Sequence, residues 1–183
     1  IAKSYNLLSD LAGVMDHARN GRPHVLLGHS MGGEVAARFA SEMLVTGAAR
    51  WAREVSGLVL SWPALDPGLG WFRRGMLAAL GKVAPNFGVS NGLKPKWLSH
   101  DPAVVQAYVK DPLNHRRITP KLARSILEGG TLVMQRAPRW RVPTLLLWGG
   151  ADRIVNPAGS AAFAAAAPPG VVTAVEFPTL YHE

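Results

Sequence analysis

The sequence predicts an α/β domain built on a parallel sheet, and three observations carry that prediction. Short apolar runs rich in leucine and valine alternate with helical patterns along the 183 residues. Most of those runs are bounded by Pro or Gly, as buried strands are. One run leads directly into a glycine-rich turn and then a helix, the beginning of a βαβ unit.

In chain order, Ser4–Asn20 has apolar residues at Leu7, Leu8, Leu11, Val14, Met15 and Ala18. That i, i+3, i+4, i+7 spacing predicts an amphipathic helix, ended by Gly21 and Pro23. Pro23–Leu27 predicts a buried strand and Glu34–Thr46 a helix. Val55–Leu60 and Val142–Leu147 are further strand candidates. Pro157–Ala167 predicts an Ala-rich helix stopped by Pro168-Pro169-Gly170, and Val171–Phe177 a last strand. Trp62–Arg141 breaks the alternation: it has no convincing strand, many Pro and Gly, scattered aromatics and short helical patterns. Because it falls between two strands, it reads as an excursion from the sheet. The expected units are therefore 1–61, an inserted helical cap at 62–141, and 142–183.

Composition limits the function classes. A hydrophobic share of 48% against 17% charged residues excludes a disordered chain. A domain of this length buries roughly 70% of its unfolded surface, enough for a core. No apolar run approaches the ~20 residues of a membrane-spanning helix. With no cysteine there is no disulfide, thiolate zinc site or cysteine nucleophile. The start, Ile1-Ala2-Lys3-Ser4, has neither an initiator Met nor an apolar signal core, so the expectation is a chain entered midway. Charge is uneven. Residues 62–142 hold thirteen basic and four acidic side chains, and so carry +9 of the net +8, against +1 before them and −2 after. The basic residues form no dense run and match no nucleic-acid motif, so nucleic acid is not an expected partner. A solvated helical surface explains such a balance, and so does attraction to an anionic lipid surface through the cap.

The most informative stretch is Val25-Leu26-Leu27-Gly28-His29-Ser30-Met31-Gly32-Gly33. It holds Gly-x-Ser-x-Gly between a predicted strand and a predicted helix, the context of a nucleophile elbow, in which a strained turn lifts the serine Oγ above the sheet. A serine needs a base, and in this arrangement the partners follow as Ser, then Asp or Glu, then His. Thr144–Asp152 ends with Asp152 just past a strand, and Phe177–His182 ends with His182 in the loop after the last strand. Both are expected at the sheet edge where Ser30 emerges. Catalytic Ser30, Asp152 and His182 are the expectation, with the backbone N–H of Met31 as one oxyanion donor. Asp66 is the rival acid and His29 a rival base. Asp101 and Asp111 each precede Pro and read as turn or helix-start residues. His17, His24, His100 and His115 read as structural or surface residues. No metal-ligand spacing and no second phosphate-cradling loop occur, so no cofactor is expected.

Gly28–Gly33, Leu58–Leu65, Asp111-Pro112-Leu113, the segment around Asp152 and Tyr181-His182-Glu183 resemble the monoacylglycerol lipase and lysophospholipase branch of the α/β hydrolases, in family order over nearly the whole chain. The resemblance implies the α/β-hydrolase fold, a capped serine hydrolase of monoacyl lipids or related small esters, and a triad at the same three residues. It also implies further strands and a His-Gly loop ahead of the elbow, supplying the second oxyanion donor; this chain matches only the second half of such a sheet, about four strands. An aminopeptidase or acyltransferase using the same triad, a ligand-binding pseudoenzyme and an inactive fragment are the alternatives. The expected location is cytoplasmic, with peripheral membrane contact through the cap. The cap's apolar residues suit a lipid: Trp62, Leu65, Leu69, Trp71, Phe72, Met76, Leu77, Leu80, Phe87, Leu93, Trp97 and Leu98.

Overall fold

The computed structural model describes residues 6–18, 20–66, 68 and 81–183. Leu69, Trp71, Phe72, Met76, Leu77 and Leu80 of the expected cap lie outside the described residues.

Four parallel strands form the sheet in the order β1 (Val25–His29), β2 (Gly57–Ser61), β5 (Thr144–Gly149) and β6 (Val172–Phe177). Parallel pairing turns all four C-terminal ends to one edge, which is where ligands bind in open α/β sheets. The central strands are the buried ones, with Leu58, Leu60 and Leu146 inside the core. β1 and β6 are edges, and Val25 and Leu27 of β1 are exposed.

Helix α1 (Asn6–His17) packs its Leu8, Ala12 and Met15 into the core and touches α2 (Met31–Ala40). The predicted helix at Glu34–Thr46 begins three residues earlier and ends at Ala40, where a 3-10 turn, Ser41–Leu44, takes over. Arg136 anchors that turn by donating from Nη1 to Ser41 Oγ (2.9 Å) and Glu42 Oε2 (3.0 Å). Helix α5 (Pro157–Ala166) packs on β5 and β6.

The expectation of no strand in 62–141 is corrected. Val89–Ser90 (β3) and Arg117–Ile118 (β4) pair as an antiparallel ribbon. Two-residue strands are too short to show a period, so only their partner's position reveals them. Between them lies α3 (Pro102–Lys110). The segment then returns through a 17-residue helix, α4 (Pro120–Arg136), which packs on α2. Gly129 and Gly130 make that approach possible. A Cβ at 129 would run into the Glu34 carboxylate, and one at 130 into the Leu65 carbonyl. Val133 of α4 joins Trp140, Phe163 and Phe39 in the fully buried core. Trp140 sets its ring edge-on to Phe163, 5.0 Å between centroids, and its indole N–H donates to Thr144 Oγ1 at 2.9 Å.

Candidate active site

The turn from β1 into α2 is set by glycine. A Cβ at Gly28 would lie 2.7 Å from the Gly32 carbonyl carbon and 2.8 Å from Gly33 Cα, inside the backbone of the turn itself. A Cβ at Gly33 would lie 2.9 Å from Pro63 Cβ. Between them Ser30 adopts φ 53° and ψ −121°, a conformation that non-glycine residues hold only where the surroundings over-determine it. Those surroundings are explicit. Ser30 N–H donates to the Ser61 carbonyl (2.9 Å), and the Ser30 carbonyl accepts from Gly33 (3.0 Å), Glu34 (3.2 Å) and Ala64 (3.0 Å). Met31 follows as the first residue of α2, where backbone N–H groups lack intrahelical acceptors.

Ser30 Oγ lies 2.9 Å from His182 Nε2, and His182 Nδ1 lies 2.7 Å from Asp152 Oδ2. The other carboxylate oxygen, Oδ1, accepts from Ile154 N–H (2.7 Å) and Val155 N–H (3.1 Å), so the turn after β5 fixes the acid in place. His182 is only 3% exposed. Because Asp152 is an acceptor, the ring carries its proton on Nδ1 and offers Nε2 to the serine hydroxyl. Strand β5 can pass beneath this loop because Gly149 is there. A side chain at 149 would strike the Leu180 and Tyr181 carbonyls.

The rival residues are engaged elsewhere. Asp66 accepts from Asn156 Nδ2 (3.0 Å) and from Gly68 N–H (3.0 Å), joining the loop after β2 to the start of α5. Asp101 caps α3, and Asp111 closes the turn after it by accepting from Leu113 N–H. His29 lines the same cavity as Ser30, its Nδ1 3.0 Å from Ser61 Oγ and its ring 5.0 Å from that of His182. Burial, and after it the neighbouring His182, hold His29 below the ordinary histidine range. His17 and His115 are exposed, and His24 is half-buried.

A cavity of about 200 Å³ opens on Ser30 and His182. Leu93, Pro95, Leu98, Tyr108 and Ile154 give it an apolar wall, and Lys94 and Glu183 add charge. Among the described residues no group of His, Asp and Glu is arranged to hold a metal ion.

The family described as "Serine aminopeptidase, S33" matches residues 1–183. The chain belongs to that family. Within the α/β hydrolases it lies in the monoacylglycerol lipase-like branch, on the strength of two relatives. It is 33% identical over 176 residues to a monoacylglycerol lipase of Mycolicibacterium smegmatis, which covers 94% of this chain and 60% of the relative. It is also 33% identical to the crystal structure of Paleococcus ferrophilus monoacylglycerol lipase, at TM-score 0.84, over 96% of this chain and 65% of that one. A soluble variant of monoglyceride lipase from Saccharomyces cerevisiae, crystallised with a substrate analog, shares the fold at TM-score 0.81 and 20% identity over 63% of its chain. The chain thus spans somewhat under two thirds of the length of these relatives.

Two contributors to the site escaped the sequence reading. Trp62, at φ 47°, donates its indole N–H to the Tyr181 carbonyl (2.6 Å) and stacks on Phe177. The Leu98 carbonyl, within the insert, accepts from the N–H groups of His182 (3.0 Å) and Glu183 (2.8 Å). Neither has a local signal, since both act through contacts across 80 or more residues of sequence.

Proposed function

We propose that this chain carries the catalytic half of a serine hydrolase that cleaves carboxylic esters of monoacyl lipids. The observation that carries the reading is the hydrogen-bonded series Ser30–His182–Asp152 in the wall of an apolar cavity. Ser30 Oγ adds to the ester carbonyl carbon as His182 Nε2 takes its proton. The Met31 N–H donates to the resulting oxyanion, as one of the donors such a hole needs. Collapse breaks the bond to the alcohol oxygen, which receives the proton from His182, and the acyl group stays on Ser30. Water, deprotonated by His182, then adds to the acyl carbonyl, and collapse frees the fatty acid as His182 returns the proton to Ser30 Oγ. Asp152 holds the imidazole in its tautomer and stabilises the imidazolium. Membership in the serine aminopeptidase family makes an amide substrate the second reading; the apolar cavity wall favours an acyl chain.

The insert, 62–141 in its full extent, supplies the cap in this proposal. Its working part is 81–119, because α4 belongs to the core packing. Val83, Phe87, Val109 and Leu113 are exposed there, among Lys82, Lys110 and Arg116. No helix among the described residues is long and apolar enough to cross a membrane. Docking on an anionic lipid surface through this mix of apolar and basic groups fits the +9 excess. On anionic micelles activity should fall as salt rises, because charge attraction fades beyond a Debye length of ~8 Å at physiological salt, while a soluble short-chain ester should respond little, because its turnover needs no docking. Charge reversal at Arg73 and Arg74, which lie outside the described residues, should flatten the micelle response. Equal salt sensitivity on both substrates would remove the docking role.

The deciding experiment is active-site labelling. Ser30→Ala should abolish both labelling by a fluorophosphonate and ester turnover, and His182→Ala should be comparably damaging. Asp152→Asn should keep measurable activity, because triad members act as a unit and lose unequally. Undiminished labelling of Ser30→Ala would end the assignment, and so would a larger loss from Asp66→Asn than from Asp152→Asn.

A further inference from the structure

The loop that carries His182 follows an edge strand, so the sheet can support it from one side only. On that side, Gly150 N–H donates to the Phe177 carbonyl (2.9 Å), Ala151 N–H to the Leu180 carbonyl (3.2 Å), and Trp62 to the Tyr181 carbonyl. The N–H of His182 itself is bound to the insert, at the Leu98 carbonyl. Two residues further on, His100 Nε2 lies 2.8 Å from the Thr179 carbonyl. A carbonyl only accepts, so Nε2 carries the hydrogen and donates. The His100 ring also stacks on Tyr181, centroids 3.7 Å apart and planes within 26°, beside the Arg153 guanidinium at 5.3 Å from the Tyr181 ring. Leu98, buried, closes a 3-10 turn over Pro95–Trp97, its N–H on the Pro95 carbonyl at 2.9 Å. Leu93, Lys94, Pro95 and Leu98 of this segment form a wall of the cavity over Ser30.

Resting on the reading of His182 as the base, we propose that His100 is a positioning residue for it, and that 93–100 is the strut through which the cavity wall sets the imidazole against Ser30. His100 does not line the cavity, so it acts on the loop and never on the substrate. The Leu98 carbonyl fixes the backbone of the base, and the His100 hydrogen bond and stack fix the preceding turn, Thr179–Tyr181. Both anchors belong to the insert, so an occupant pressing on the wall at Leu98 presses on the base through the Leu98 carbonyl itself. A lid that merely covered the site would have no such bonds to the base.

The test compares His100→Ala and His100→Gln with the wild-type protein and Ser30→Ala, on a soluble p-nitrophenyl ester. Turnover is expressed per site titrated with a fluorophosphonate. Gln can return a side-chain N–H to the Thr179 carbonyl, whereas Ala cannot. His100→Ala should lower kcat about 10- to 100-fold with KM little changed, the cost of moving a reacting group by about 1 Å. His100→Gln should recover most of that loss. A purely structural residue would reduce the number of titratable sites and leave kcat per site intact, which would overturn the proposal. Equal losses in Ala and Gln would overturn it as well. Tyr181→Leu removes the stack and keeps the Thr179 bond; it should lower kcat per site several-fold, and an unchanged kcat would count against the strut even if His100→Ala did not fold. Absence of labelling in the wild type would instead bring down the assignment of Ser30 and His182 on which the proposal stands.

Discussion

Helices α2 and α3 have nearly the same length, ten residues and nine, and are held by opposite means. α2 buries Gly33, Glu34, Ala36, Ala37, Phe39 and Ala40, while α3 buries none of its residues. No side chain caps α2, and Ser30 before it sits in a strained turn. α3 starts from Asp101, whose carboxylate accepts from Ala103 N–H, with Pro102 at its first position. The two helices therefore draw their stability from different sources. Tertiary packing holds α2 so firmly that it can impose strain on Ser30, whereas α3 rests on local signals, with Val104, Val105 and Tyr108 only half-buried. A helix of the first kind suits a nucleophile that must not move.

The strongest perturbation falls at the turn before α2. Gly28→Ala brings a methyl against the Gly32 and Gly33 backbone, which the Ser30 carbonyl already ties to Ala64. Overpacking against backbone costs about 3 kcal/mol or more where nothing can yield. We expect loss of cooperative unfolding or a steep fall in Tm, read by calorimetry, together with loss of fluorophosphonate labelling. A stable, fully labelled Gly28→Ala would show that the turn is looser than its contacts require.

Glu34 probes the packing of α2 from inside the helix. It is buried, 4% exposed, against Gly129 of α4, and burial raises its pKa to about 8, with Arg38 opposing that rise. The folded state therefore holds a proton that the unfolded chain releases near its ordinary value of 4.5. Its stability contribution is full below that value and is lost as pH rises towards about 8. With 1.36 kcal/mol per unit, the loss by neutral pH is on the order of 3 kcal/mol. Glu34→Gln, which cannot ionise, should flatten the dependence of Tm on pH between 5 and 8. An unchanged slope would mean that the carboxyl reaches water when it ionises and that the α2–α4 contact gives way easily.

How much of this was legible in the sequence follows the same division. The four strands and α5 were read from period and punctuation, to within two residues at their ends, because buried elements carry a pattern; α2 was read too, but its C-terminal end was set at Thr46, beyond the 3-10 turn that takes over after Ala40. The approach of Ser30, Asp152 and His182 was legible because each follows the C-terminal end of a parallel strand by one short loop; their chemical roles rest on the labelling experiment. Glu34 was not legible. A lone acid in a helix reads as surface, and only the Gly129–Gly130 pair, in helix positions where Gly costs about 1 kcal/mol each, hinted at a close neighbour. The β3–β4 ribbon, the Leu98 carbonyl and the Trp62 indole were not legible either, since they depend on partners that local sequence does not name. His100 was read as a structural or surface residue; its contact with the Thr179 carbonyl came only from the fold.

The smallest effect tests the other side of the comparison. If α3 depends on its cap, removing the Asp101 carboxylate should loosen α3 and nothing else. Asp101→Ala takes away the acceptor for Ala103 N–H, 2.7 Å from Oδ1, which is worth about 1 kcal/mol at a helix N-terminus. That amounts to roughly a fivefold rise in local opening, and it should appear in hydrogen exchange as faster amides along Val105–Lys110. Amides of α2 from Val35 to Ala40 should exchange as before, since they open only with the core. Tyr108 brings α3 to the cavity wall. The same change should therefore raise KM for a long-chain ester more than for a short soluble one. Exchange unchanged in α3 would mean that contacts other than its cap hold the helix; faster exchange in both helices would mean that α3 and the core open together, and the contrast between them would fail.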